Sequence, residues 1–446
     1  MDYIIKFKNY YLTLKDVGIY RVILRIIYEF KIKFYKLIPS NILDLFFNTN
    51  ITKIDWLDNK IEKIREKKNI KIQKFFFNKY IIFNFLNEER KLSLPFNWND
   101  QSWSRLWRFN LHYFEWSRQI LDKYLYKKEF SEKIYFIDFL IDDWISNNNF
   151  LKGDGWHSYT MSYRIRNWSL LFRYYPELKN QNRIKSLWSQ TFWLYKNLEI
   201  HHGGNHLLEN LISLIISTLN FKNKYARKIF IKTEKLLKKE ISEQVLSDGG
   251  HYERSASYHL IILDHLIEMA CLMQIINKSR PEWLRKIICK MTNWVIKIKL
   301  YKSNIPRFND CSTLSAPNID EVIIFASSYL KQKNLGCKSL RNEIIEDLLD
   351  EKIIEKELKL NFRNGVITFL PDTGWTIIRG GFNWELLFKC GEPCPKNNGA
   401  HAHSDLLSFD IFEKNRLVVV NLAPFQVEDK KHQVYLTFLL VLGRLR

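Results

Sequence analysis

The stretch NHLLENLISLIISTLNF, residues 205–221, places large aliphatic side chains at three- and four-residue spacing along its whole length and contains no proline. That period predicts an amphipathic helix. The same texture recurs in FIDFLIDDWISNN (136–148), RIKSLWSQTFWLYKNLEI (183–200), ARKIFIKTEKLLKKEISEQVL (226–246), YHLIILDHLIEMACLMQII (258–276) and WLRKIICKMTNWVIKI (283–298). Between about Trp103 and Leu358 the chain therefore reads as a succession of helices joined by short loops, which implies antiparallel helical hairpins.

After Phe362 the period changes. NGVITFLPDTGWTIIRGGFNWELLFKC (364–390) and LLSFDIFEKNRLVVVNL (406–422) show β-branched and aromatic runs separated by Gly, Asn and Asp turn signals. Helices first and strands afterwards indicate separate α and β parts, an α+β multidomain chain rather than an α/β sheet. Three segments are expected: 1–95, helical or extended; 96–360, helical; and 363–446, β-rich. The final stretch, APFQVEDKKHQVYLTFLLVLGRLR (423–446), has neither alternation nor turns and reads as cut short or altered.

The chain has 446 residues, with 69 Lys and Arg against 48 Asp and Glu, a formal net charge of +21, and 15% aromatic residues. Such a balance suits a polyanion whose rings can be stacked upon. The basic residues are spread rather than blocked. No helix-turn-helix, zinc or RNA-motif signature is present, so nucleic acid is not expected as a partner.

The N-terminal apolar runs are broken by charges, which predicts neither a membrane span nor a leader. A cytoplasmic location is the default on that reading, and a periplasmic one if the start is incomplete. To about Ile38 the pattern fits a basic amphipathic helix on a membrane or, preferred, a helix packed on the protein. The six cysteines are scattered, which speaks against a disulfide framework or a Cys-based zinc site.

Polar and ring residues gather in five loops. WRFNLHYFEW (107–116) offers Asn110 and His112; GDGWHSYTMSYRIRNW (153–168) offers Trp156, Tyr159 and Arg164; HHGGNHLLEN (201–210) offers Asn205, His206 and Glu209. SDGGHYERSASYH (247–259) offers Glu253, Arg254 and Tyr258. Asn205 suits either an N-cap or a residue holding a substrate carboxylate with His206 in the first helical turn. Tyr258 suits either a packed tyrosine or a proton-transfer group.

In GAHAHSD (399–405), His401, His403 and Asp405 alternate in an apparently extended stretch and would share one face. A metal or a carbohydrate could use that geometry, although two histidines fall short of the usual ligand count for zinc. Asp405 would then complete a partial ligand set or orient a ring nitrogen.

Taken together, LWRFNLHYFEW, GNHLLENLISL, LSDGGHYERSASYHLIILDHL, RFNDCS, LPDTGWTIIRGG and GAHAHSDLLSFDI resemble, in order and spacing, motifs of the heparinase II/III-like polysaccharide lyases over about residues 100–421. The resemblance implies an incomplete (α/α) toroid of helical hairpins followed by a partial antiparallel β-sandwich. It also implies β-elimination on a uronate-containing acidic polysaccharide or oligosaccharide.

By position, Asn205 and His206 match the group that binds the uronate carboxylate, Tyr258 the catalytic tyrosine and His401 a catalytic histidine. His403 matches a histidine that in some members ligates a structural metal. No cofactor is required by this chemistry, and a structural zinc or calcium ion at His403 is the one metal the resemblance suggests. Trp156, Tyr159, Arg164, Asn110, His112, Glu253 and Arg254 are the expected sugar-positioning residues, through stacking and ion pairing.

The pattern departs from the family near Asn421, where an acidic residue or an asparagine is usual: Asn421 is present, but the Gly-Thr turn that should follow it and the later histidine-containing motif are missing. Family-like sequence is expected to end near residue 422. Two rival readings remain: a glycoside hydrolase using Glu209 and Glu253 as its carboxylates, and a glycan-binding relative that does no chemistry.

Overall fold

The computed structural model describes residues 18–39, 42, 56–57, 80–93, 95–124, 130–277, 281–300, 305–312, 316–330, 366–380, 384–395, 403, 405–413 and 416–419. Among the described residues eleven α-helices precede a C-terminal sheet, with one hairpin between the first two of them. Helix α1 spans Ile19–Leu37; the hairpin is β1 (Tyr80–Phe85) and β2 (Glu88–Ser93). Its turn residues Leu86 and Asn87 both have positive φ, the geometry that matches the twist of tightly paired strands.

The helical body follows as α2 (Arg105–Tyr113), α3 (Glu115–Tyr124), α4 (Phe130–Asn147), α5 (Ser158–Tyr174), α6 (Gln181–Lys196) and α7 (Gly204–Thr218). It continues with α8 (Lys224–Gln244), α9 (Ala256–Asn277), α10 (Glu282–Ile298) and α11 (Ile319–Leu330). Helices joined by short connections pack on one another, α2 on α3, α3 on α4, α5 on α6, α9 on α10 and α10 on α11, and α7 packs on α5, α6, α8 and α9. These hairpins form the incomplete toroid.

The stretch 205–221 departs from its predicted amphipathicity. Apart from His206, every residue of α7 from Gly204 to Thr218 is buried. The three- and four-residue spacing of its aliphatics is real, but Asn210, Ser213, Ser217 and Thr218 fill the intervening positions and bond locally or to neighbouring helices. Polar residues satisfied in this way pack as a core helix.

Helix α5 is buried almost end to end and carries three arginines into the interior. Arg166 donates to Glu268 Oε2 at 2.6 Å, Arg118 reaches the other oxygen, and Arg173 Nε donates to Asn220 Oδ1 at 2.6 Å. Burial opposes ionisation of Glu268, but Arg118 and Arg166 outweigh it and hold the carboxyl at about 2. Helix α9 is the one helix among the described residues long and apolar enough to cross a membrane, and 78% of that window is buried inside the protein.

The C-terminal sheet is an antiparallel meander of β3 (Val366–Leu370), β4 (Trp375–Arg379), β5 (Trp384–Lys389), β6 (Phe409–Glu413) and β7 (Arg416–Val419), paired in sequence order. Strand β4 alternates, turning Trp375, Ile377 and Arg379 inward. Trp375 packs on Trp294 of α10 and on Phe308, and Arg379 donates to the carbonyls of Lys297 and Lys299. The β3–β4 turn is docked by Asp248, which accepts from Thr373 N at 2.7 Å. Gly250 makes that approach possible, since a Cβ there would sit 2.3 Å from Thr373 Oγ1.

Three buried residues lock sheet to toroid. Lys389 Nζ, at the end of β5, donates to Asp405 Oδ1 and to Asn309 Oδ1, and Asn309 N donates to Asp405 Oδ2 at 2.8 Å. The expected extended alternation through residues 401–405 is not found where it can be followed: His403 and Asp405 lie in irregular chain, and β6 begins only at Phe409. Leu407, at φ 62°, turns the chain before it.

Glu268 gives the helical body a defined acid sensitivity. Its folded pKa of about 2 lies below the ordinary 4.5, so its contribution is present above pH 4.5 and is lost as pH falls towards 2. The full contribution is about 3 kcal/mol. Denaturant unfolding across that window should show a steep loss of stability in the wild type and a shallower one in Glu268→Gln, which starts from lower stability at neutral pH.

Candidate active site

The two glycines before α7 set up the site. Gly203 and Gly204 have φ of 65° and 55°, and Gly203 is the N-cap, with no side chain capping the helix. Asn205 is therefore not the cap; it sits in the first turn. Its backbone N–H donates to Glu253 Oε1 at 3.0 Å, and Gly204 N donates to the Tyr252 hydroxyl at 2.9 Å. A neighbouring segment thus supplies the acceptors that a capping side chain normally provides. The carboxamide oxygen of Asn205, in a residue only 3% exposed, has no hydrogen-bond partner among the described residues.

His206, the half-exposed residue of this turn, stacks on Tyr159 with ring centroids 4.2 Å apart. Its Nδ1 lies 3.2 Å from Glu199 Oε1. Glu199 is fully buried and also accepts from Asn210 Nδ2 at 3.0 Å. Burial opposes its charge, yet His206, His157 and the bond from Asn210 hold the carboxyl down at about 2. An ionised Glu199 orients the imidazole with Nδ1–H inward and Nε2 outward. Burial and the neighbouring His206 push His202 down to about 4, so this group of rings is not uniformly cationic.

Tyr258 enters from the first turn of α9, beside a cluster of Tyr113, Tyr159 and Tyr163 in which Tyr113 and Tyr163 stack at 4.3 Å. Burial, then the charges of Asp310 and Glu253, push its phenol well above the usual tyrosine range. Asp310 in turn pairs with His403 Nε2. Asn309 places it there, donating through its carboxamide to the backbone oxygens of Glu253, Arg254 and Pro393. Tyr258, Asp310 and His403 thus meet where toroid and sheet join. His401 lies outside the described residues.

The expected sugar-positioning set divides. Tyr159 stands beside His206, and Glu253 supports Asn205, as above. Arg164 is fully buried, donating to Gln190 Oε1, Gly155 O and His112 O, with its guanidinium 3.8 Å from the Trp144 ring. His112 is also fully buried; Nδ1 accepts from Trp144 Nε1 at 2.9 Å, so Nε2 carries the proton towards Asn99 Oδ1. Neither can reach a sugar, and burial, with the Arg164 charge, keeps His112 neutral.

Trp156 packs on Phe150 and Trp144 and donates to Asn148 O, while Asn110 donates to Leu106 O within its own helix. Arg254, at φ 52°, reaches across to Asp372 O and Glu392 and acts as a strut between toroid and sheet. The hydrolase pair is no better placed. Glu209 is buried, held by His265 at 2.6 Å and by Ser213, and Glu253 is buried at the start of α7.

The described residues do not by themselves make up the expected structural metal site. His403 has one acidic neighbour, Asp310, whereas Asp405 is taken up by Lys389 and Asn309. Among the described residues no group of three His, Cys, Asp or Glu is arranged to hold an ion. Asn421 lies outside the described residues. The described cysteines are all free thiols.

The protein is thus a helical toroid joined to an antiparallel sheet, with a tyrosine–histidine–asparagine site close to the junction. It belongs to the heparinase II/III family: the Heparinase II/III N-terminus matches residues 31–335, well over half of the chain, and the Heparinase II/III-like C-terminal domain matches residues 363–436. Among solved structures it is similar to heparinase III, with a TM-score of 0.55 and 17% identity over 85% of this chain and 62% of that one. A heparan sulfate lyase HepC mutant from Pedobacter heparinus gives 0.50 and 18% over 85% and 58%. These likenesses show the fold, and the chain spans about three fifths of the length of each. No curated protein sequence matches the chain.

Asn205 and Glu253 should separate in a stability measurement. Asn205→Ala removes a carboxamide whose oxygen has no protein partner, so denaturant unfolding should place it within about 1 kcal/mol of wild type. Glu253→Ala strips the acceptor from the start of α7 and should cost about 1–2 kcal/mol.

Proposed function

We propose that the protein is a polysaccharide lyase that cleaves a uronate-containing acidic polysaccharide by β-elimination. The observation that carries this reading is the Asn205 carboxamide: buried, at the positive end of α7, and with an oxygen that bonds to no protein group among the described residues. A polar group kept in that state suits a ligand. Membership of the family, and a net charge of +21 that draws in an acidic chain, support the same reading.

Elimination needs three things. Charge builds on the uronate carboxylate as the C5 proton leaves, and hydrogen-bond donors must absorb it. Asn205, through its amide NH2, and His206, through Nε2–H when both ring nitrogens carry protons, take that role, with His401 as the third member. A base removes the C5 proton, and an acid protonates O4 as the glycosidic bond breaks. Tyr258 serves both steps: the phenolate takes the C5 proton, and the resulting phenol gives it to O4. A phenol with a raised pKa gives a scarce but strong base, which suits a weakly acidic C–H. No step passes through a metal.

Incubation with uronate polysaccharides should produce the ultraviolet absorbance of an unsaturated uronate, which neither hydrolysis nor binding creates. Tyr258→Phe should lower kcat at least about a hundredfold while the fold stays intact. If Tyr258→Phe retains full activity, the assignment of the tyrosine fails.

The pH profile supplies a second check. Removing the Asp310 charge lowers the Tyr258 pKa, so more phenolate is present at a given pH. The rising limb of kcat/KM should therefore move to lower pH in Asp310→Asn, by about one unit.

A further inference from the structure

Helix α1 is mounted with its apolar side outward. Towards the toroid it turns Tyr28, whose hydroxyl lies 3.0 Å from Ser158 Oγ, Lys31, which donates to Lys196 O at 2.6 Å, and Tyr35, edge-on to Trp193. Away from the toroid, Ile19, Ile23, Ile26, Ile27, Phe30, Phe34 and Leu37 follow one another at helical spacing, each between 48% and 82% exposed. No residue of the helix is fully buried. An apolar stripe of this length at a protein surface marks an interaction site. Along one border run Arg25, Lys33 and Lys36, all exposed, with Glu29 as the single acid among them.

We propose that α1 docks the protein on an anionic lipid surface, its apolar stripe seated at the boundary of headgroups and acyl chains and Arg25, Lys33 and Lys36 against the headgroup phosphates. Charge selects this occupant. A second copy meeting the stripe brings the same cationic border, and residues 1–17 and 40–79 of the chain itself both carry more Lys and Arg than Asp and Glu. An acidic bilayer complements the border, and the chain's net charge of +21 adds attraction over longer range. The helix also touches the site: the Tyr28 ring lies 4.4 Å from that of His201, and the Arg21 guanidinium sits within 3.2 Å of where a Cβ on Gly203 would be. Docking therefore holds the start of α7 close to the lipid.

Vesicle sedimentation of the full chain tests this without reference to activity. Wild type should sediment with vesicles of phosphatidylcholine containing phosphatidylglycerol, and far less with phosphatidylcholine alone. The triple variant Ile23→Ser, Ile26→Ser, Phe30→Ser keeps every charge and alters only exposed side chains; its partitioning should fall by about tenfold or more with an unchanged circular dichroism spectrum. Arg25→Gln, Lys33→Gln, Lys36→Gln should lose the preference for the acidic lipid. Equal binding by wild type and the serine variant, no vesicle binding at all, or a lipid-free dimer that the serine substitutions dissolve would each overturn the proposal.

Discussion

The buried contact of Lys389 with Asp405 and Asn309 fixes where everything at the junction goes. Lys389 is fully buried and Asp405 almost so, and such a pair persists only when the partners of each are complete. Here they are: Lys389 reaches both Asp405 and Asn309, and the second Asp405 oxygen takes the Asn309 N–H. Removing one partner of such a pair costs about 3–5 kcal/mol, because the other is left charged and buried. Asn309 tolerates its φ of 55° better than most residues would, and that turn delivers Asp310 to Tyr258 and to His403. The chain between β5 and β6 thus brings His403 to the site, with Lys389 at the end of β5 pinned to the toroid.

The helical body handles charge in the same manner, with different chemistry. Its buried arginines use the planar fork of the guanidinium to join several elements at once: Arg164 links α5 to α6 and to the loop carrying Gly155, and Arg166 links α5 to α9. The donor geometry that recognises a sugar carboxylate also recognises helix-end carbonyls and buried carboxylates. That is why Arg164 and Arg254, which look like ligand-binding residues in the sequence, are struts in the fold.

Much was legible beforehand. Helical period and few prolines give the helical hairpins, the change of texture near residue 363 anticipates the sheet that starts at Val366, and the quoted motifs point to the family and through it to the toroid. What escaped depends on neighbours far away in sequence. Asn205 looks like a cap, because the rule for caps is local, but Glu253 arrives from elsewhere to take its N–H. Glu199, only two residues before the histidine pair, carries no signal in the sequence, because nothing local says that it is buried against His206. Asn309 and Asp310 lay inside a recognised motif without an assigned role. For α1, periodicity gives the existence of an apolar face but not the direction in which it points.

The two carboxylates around Tyr258 look misplaced in a site for an acidic substrate, and their own attachments explain them. Glu253 is held by the Asn205 N–H, and Asp310 by His403, so neither is aimed at a ligand as an isolated charge. Their joint effect is to keep the phenol protonated. On the lyase reading, an arriving uronate then meets a neutral hydroxyl rather than a phenolate, and binding does not bring two anions face to face. Under the proposed elimination, ionisation of the tyrosine would fall to the bound state, where Asn205 and His206 would have begun to take up the substrate's charge. A site built this way gives up resting base concentration in exchange for base strength and for easier entry of its ligand.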